Sequence, residues 1–245
     1  MPKTSTYEES YFSRRKDLSY SSALKILGLV KDFYSFSSAV DFGCGTGTWL
    51  KACMELGCRT IQGFDGFANP SSLCITPQYF SHKCLGETIN LTKAYDLAIC
   101  VEAAEHTEEK FSELIVENLT KVSKVILFSA ALPGQGGTNH VNEQPPEFWQ
   151  KKFKDHRYSQ LDIIRPTIWD EAGVAWWYKQ NIFLYVHDGN IDSLKLLDHP
   201  YSFAQKHIVH PECLNSKITE LDIDNASVTN LSKALLKRIK KKLIR

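Results

Sequence analysis

The chain has almost no net charge, no C-x-x-C pair and no apolar stretch near the roughly 20 residues that a membrane span needs. A formal charge of +1 removes the chain-wide basic field expected of a non-specific nucleic-acid binder. The seven cysteines, Cys44, Cys53, Cys58, Cys74, Cys84, Cys100 and Cys213, are odd in number and scattered. They give no sign of zinc or redox work and read as reduced thiols packed as small apolar groups. The opening MPKTSTYEES lacks the apolar segment of a secretory leader, so the expected location is the cytoplasm. Internal repeats and low-complexity tracts are missing too. What remains, 43% hydrophobic and 23% charged residues among 245, is the make-up of a globular chain able to bury a sizeable core.

Periodicity then divides the chain. Residues 19–32 have helical spacing, with Leu24, Leu27 and Val30 or Ile26, Leu29 and Val30 on one face. SAVDFG reads as a short buried strand, WLKACMELG as a helix ending at Gly57, and RTIQGFDG as a second strand that ends in an acid. A third strand is poorly marked and falls near residues 82–89. AYDLAICVEAAEH supplies a fourth strand, FSELIVENLTKV a helix, and SKVILFSAALPG a fifth strand closed by Pro133 and Gly134. LDIIRPTIWD and VAWWYKQNIFLYVHD, with no helix expected between them, suggest an antiparallel hairpin at the sheet edge. The alternation predicts an α/β fold with a mainly parallel sheet covered on both faces.

Three glycines, Gly43, Gly45 and Gly47, stand between the first strand and the next helix. A side chain there would block a ligand lying over the turn and against the helix N-terminus. Asp65 ends the second strand, where a carboxylate can accept both hydroxyls of a ribose. The turn DFGCGTG differs from the dinucleotide pattern G-x-G-x-x-G and, with this acid, resembles motif I of the class I S-adenosylmethionine (SAM) dependent methyltransferases. The resemblance covers residues 20 to 190. It implies the Rossmann-like fold of that family, SAM as cofactor, and Asp41, Gly43, Gly45 and Gly47 for its methionine portion. It further implies Asp65 for the ribose and Asn90 with Leu91 for the adenine.

The chemistry is expected past the fourth and fifth strands. Glu102, Glu105 and His106 form Glu-x-x-Glu-His, and a helix beginning at Glu102 would set all three on one face. Two carboxylates and an imidazole can hold a hard divalent cation such as Mg2+ or Mn2+, or can simply cap a helix. The motif resembles the metal site of methyltransferases that modify small-RNA 3′ ends and of ubiquinone-pathway O-methyltransferases. Leu132 to Trp149 is a polar loop rich in glycine and proline, in which His140 is the candidate fourth ligand or general base. Glu105 and His106 are the further catalytic candidates, and Glu102 also borders the cofactor. Phe148 and Trp149 would suit a sugar face or a core. Trp169, Trp176, Trp177 and Tyr178 read mainly as packing, and Arg165 with Gln180 as substrate-orienting groups or as a salt bridge and turn contact.

The wording of this loop and of RPTIWDEAGVAWWYKQN resembles a bacterial subgroup of these methyltransferases associated with surface-polysaccharide gene clusters. Residues 1–190 are therefore expected to form the methyltransferase domain and 191–230 a linker with partial helices. Residues 231–245 are expected to form a basic amphipathic helix, with Leu231, Leu235, Ile239 and Leu243 at steps of four. Such a helix can lie on the anionic inner face of a membrane. The leading expectation is O-methylation of a sugar or lipid-linked glycan hydroxyl. The alternatives are an RNA ribose 2′-O-methyltransferase and a catalytically silent SAM-binding scaffold. Nucleic acid ranks below glycan because the chain carries no recognisable RNA module.

Overall fold

A computed structural model describes the backbone of residues 4–195, 208–221 and 232, with side chains from Asp17 onward in the first stretch. Two compact units divide the chain, Met1–Ile208 and Val209–Arg245. The second contains the helix Pro211–Leu221, and the basic segment 231–245 lies outside the described residues except for Ser232.

The first unit is built on a seven-stranded sheet: β1 (Ser38–Phe42), β2 (Thr60–Asp65), β3 (Phe80–His82), β4 (Leu97–Val101), β5 (Val125–Ser129), β6 (Tyr158–Leu161) and β7 (Phe183–His187). Spatial order is β3-β2-β1-β4-β5-β7-β6. The first five strands pair in parallel, while β7 runs antiparallel to both β5 and β6. This is the expected doubly covered α/β sheet with its antiparallel pair. The pair differs in its extent: of LDIIRPTIWD only Leu161 belongs to β6 and the rest contains α5 (Arg165–Ile168), while the first part of VAWWYKQNIFLYVHD forms α6 (Trp176–Asn181) ahead of β7. The third strand ends at His82, where the sequence suggested it would begin; of residues 83–95, only Ile89 is buried.

Strands buried on both faces explain the near-continuous apolar runs. Ala39, Leu97, Ile99, Leu127 and Leu184 enter one core, and Val40, Ala98, Cys100, Ile126 and Phe183 the other. The first core is closed by α1 (Thr4–Phe33) and α2 (Thr48–Glu55) together with α5 and α6. In α1 the buried stripe is Ala23, Ile26, Leu27, Val30 and Phe33, which merges the two faces the spacing allowed. The second core is closed by α3 (Ser112–Val122) and α4 (Pro146–Asp155). Trp149 belongs to it, 4.9 Å from Phe128 between ring centroids, so it is a core residue and not a sugar platform. Tyr178 is likewise buried, edge-on to Trp49 at 5.3 Å. All seven cysteines are free thiols, five of them buried. Among the described residues no helix is long and apolar enough to cross a membrane.

The parallel strand order reverses between β1 and β4, which opens a crevice beyond their carboxyl ends. The glycine turn leaves β1 there, and Glu102 follows β4.

Candidate active site

The glycine turn serves two purposes. Gly43, Gly45 and Gly47 all have positive φ, at 81°, 52° and 83°. A Cβ on Gly43 would lie 2.5 Å from the Cβ of Ala103, and one on Gly47 would lie 2.7 Å from Ile75. These two positions thus require glycine for the protein that packs against them as well. Gly45 alone faces open space, with nothing within 4 Å of the position a Cβ would take.

Two acids flank this open face. Asp65 accepts the N–H of Gly45 at 2.9 Å on Oδ2, and those of Phe67 and Ala68, each at 2.7 Å, on Oδ1. Asp41 is almost wholly buried and neither of its carboxylate oxygens has a partner. Burial first, and then the nearby Asp65 charge, push its carboxyl well above the usual range. A buried, partnerless acid beside an uncovered glycine fits a cofactor with a cationic end. Beyond β3 it is Leu85 that approaches the turn, 3.5 Å from the Cβ position of Gly43, and Cys84 packs on Gly66. Asn90 is exposed, and Leu91, like Leu85, packs against the second core. Leu85 carries no sequence signal of its own; it is one apolar residue in a weakly patterned segment.

At the end of β4 the chain does not become helical. Glu102 has φ 49°, a left-handed backbone that is rare for a residue with a side chain, and its N–H donates to both the carbonyl and the hydroxyl of Ser129. A single 3-10 turn, Ala104–His106, follows. Glu102, Glu105 and His106 consequently do not share a helix face. The Glu102 carboxylate accepts from Asn181 Nδ2 at 3.0 Å and Gln135 Nε2 at 3.3 Å, and burial raises its carboxyl to about 7.

Glu105, His106 and His140 do come together, each offering a ligand atom within 4.8 Å of the others, and Glu102 stands outside this group. Glu105 is fully buried and both its oxygens lack hydrogen-bond partners. Desolvation, followed by the charge of Glu102, drives its carboxyl well above the ordinary value. The rings of His106 and His140 meet edge to face at 5.0 Å. Partial desolvation, with a smaller contribution from His140, lowers His106. His140 reaches the group because the loop after β5 folds back: Val141 and Asn142 donate to the Glu105 carbonyl at 2.9 and 3.1 Å. An orphaned buried carboxylate beside two imidazoles is a donor set that fits a divalent cation.

Arg165 belongs to the fold. It is fully buried, doubly bonded to Asp162 through Nε and Nη2, donates to the Gln180 carbonyl at 2.9 Å, and lies 4.1 Å over the Phe183 ring. Gln180 turns its amide to Gln135 and Asn181, extending the buried network that ends on Glu102. Gln135, on the loop after β5, and Asn181, the last residue of α6, thus meet at the site across 46 residues of chain, which spacing could not reveal.

No curated relative matches the chain in sequence. Its fold is similar to that of DesVI from Streptomyces venezuelae, at TM-score 0.54 and 13% identity over 76% of this chain and 99% of that one. It is also similar to the sugar N-methyltransferase KedS8 of Streptoalloteichus, at 0.53 and 14% over 74% and 92%. CalS10 of Micromonospora echinaspora, an amino pentose methyltransferase with SAM bound, aligns at 0.51 and 11% over 76% and 98%. Residues 14–181, well over half of the chain, match the family described as methyltransferase domain, and the chain belongs to that family.

Proposed function

We propose that this methyltransferase transfers the methyl group of SAM to a hydroxyl of a sugar or glycan, assisted by Mg2+ or Mn2+. The reading rests on one juxtaposition: an open glycine face flanked by Asp41 and Asp65, and a partnerless Glu105 beside two imidazoles, at neighbouring strand ends.

Asp65 Oδ2 accepts a single N–H, from Gly45, and so keeps a lone pair for a ribose hydroxyl. Asp41 suits the cationic methionine end of SAM, since a positive charge there offsets the cost of burying a carboxylate. Gly45 lets the cofactor lie against backbone. On the acceptor side, each Glu102 oxygen takes one amide N–H and retains capacity for a substrate hydroxyl. Glu105, His106 and His140 would hold the cation through one oxygen and two nitrogens. When bound, it polarises the acceptor oxygen and eases loss of its proton. Without the cation, His140 is the alternative and takes the hydroxyl proton directly. Holding the hydroxyl in line with the methyl supplies much of the rate.

Gln135 and Asn181 fix the Glu102 carboxylate on the acceptor side, and two of the structural relatives are sugar methyltransferases. The basic segment 231–245 extends the reading to a lipid-linked glycan met at an anionic membrane surface.

The test combines calorimetric titration with S-adenosylhomocysteine and transfer of labelled methyl from SAM to glycan and RNA acceptors in Mn2+. Saturable binding weakened by Asp65→Ala by about one to two orders of magnitude, matching the loss of charged hydrogen bonds, is the expected result, with label in the glycan. Label in RNA would redirect the acceptor. A folded chain that binds no S-adenosylhomocysteine would overturn the proposal.

A further inference from the structure

Glu143 makes three contacts at once. Its Oε2 accepts the N–H of Gly134 at 2.8 Å, its Oε1 that of Gly136 at 2.6 Å, and Oε1 also lies 3.0 Å from His140 Nδ1. One carboxylate therefore ties down the loop after β5 and the only imidazole on it. The ring is also fitted sterically: a Cβ on Gly137 would meet His140 Nε2 at 2.3 Å, so the imidazole occupies room that only glycine leaves.

These contacts dictate where the protons sit. An ionised carboxylate only accepts, so the His140 nitrogen facing Glu143 must carry the hydrogen. His106 is held in a parallel way, with Nδ1 3.3 Å from the Asn139 carbonyl, another pure acceptor. In both neutral rings the lone pair is left on Nε2. Metal-binding histidines are oriented in this manner, by donating the second ring N–H to a carboxylate or carbonyl. The buried Glu105 carboxylate, with neither oxygen partnered, is the independent sign that the cluster awaits a positive partner.

We propose that Glu143 is the positioning residue of this site: it holds His140 as the Nδ1–H tautomer, as the Asn139 carbonyl holds His106. Both rings then offer Nε2 with Glu105 to a divalent cation. The inference rests on the metal-assisted reading above and adds the residue that prepares the site.

Two readouts test it without any acceptor. The first is nitrogen-15 NMR of the histidines in the full metal-free chain at alkaline pH, with resonances assigned through His106→Ala and His140→Ala. Wild type should show Nδ1–H at His106 and His140, and Glu143→Ala should move His140 toward the Nε2–H form while leaving His106 in place. The second is calorimetric titration with Mn2+, in which Glu143→Ala should weaken binding by about 10- to 100-fold, as outer partners of metal ligands do. Unchanged binding of S-adenosylhomocysteine would show that the variant is folded. If it is not, the wild-type spectrum decides alone, because Nε2–H at His140 overturns the inference. Wild-type chain that takes up no Mn2+ would sink both the metal-assisted reading and this proposal. Mn2+ binding that survives Glu143→Ala within about twofold, with the His140 tautomer unmoved, would sink this proposal only.

Discussion

The backbone N–H of Gly45 donates to Oδ2 of Asp65 at 2.9 Å, which fastens the turn after β1 to the acid that ends β2. The acid expected to hold a ribose thus also shapes the turn beside which the cofactor would lie. It separates the glycines by function, because Gly45 is held in place by this bond while its outer face stays uncovered.

Alanine substitution should therefore act differently at Gly43 and Gly45. Gly43→Ala adds a clash with Ala103 to a left-handed backbone and should cost about 2–5 kcal/mol of stability. Gly45→Ala carries only the backbone strain of about 1–2 kcal/mol. It should stay folded and lose at least tenfold in affinity for S-adenosylhomocysteine. Denaturant unfolding and calorimetry on both variants check this; wild-type affinity in Gly45→Ala would mean that the open face is not the cofactor's.

Asp41 should make stability fall as pH rises. Its carboxyl is raised in the folded chain above the ordinary 3.8. Below that value both states are protonated and the group contributes nothing. Above it the unfolded chain releases a proton that the folded chain keeps, so stability declines by up to about 1.36 kcal/mol per pH unit until the folded value is passed. Asp41→Asn should flatten this slope and melt higher than wild type at neutral pH without ligand. Melting curves across the acidic to neutral range measure it, and an unaltered slope in the variant would refute the assignment.

Arg165 should prove structural. Removing it strands Asp162 in the interior, and Arg165→Met should cost about 3–5 kcal/mol in urea unfolding. Replacing both partners with apolar residues should restore most of that loss, since no buried charge is then left alone. Affinity of the folded protein for S-adenosylhomocysteine should change little; a large drop at unchanged stability would return Arg165 to the site.

Local pattern carried much of this protein. Apolar runs of strand length, punctuated by glycine and proline, marked β1, β2, β4 and β5, because a strand buried on both faces needs apolar residues throughout. The glycine turn and Asp65 were legible for a related reason: a fixed strand-turn-helix unit imposes fixed spacing. β3 was expected a few residues too late, near 82–89, since three residues, Phe80 to His82, with none fully buried, leave almost no pattern. The Glu-x-x-Glu-His run was visible as chemistry, but its helical geometry was wrong, because the left-handed Glu102 is held by Ser129, Gln135 and Asn181, none of them its neighbours in the chain.

The sequence by itself determined the α/β alternation, the family and the residue types that meet at the strand ends, since those follow from period, turn chemistry and short-range spacing. Only the tertiary structure decided that Glu105, His106 and His140 form a group without Glu102, that Glu143 orients His140, and that Arg165 is core. Each of those outcomes depends on which loop end is laid against which strand, and such contacts are set by packing across the sheet and leave no regular interval in the chain.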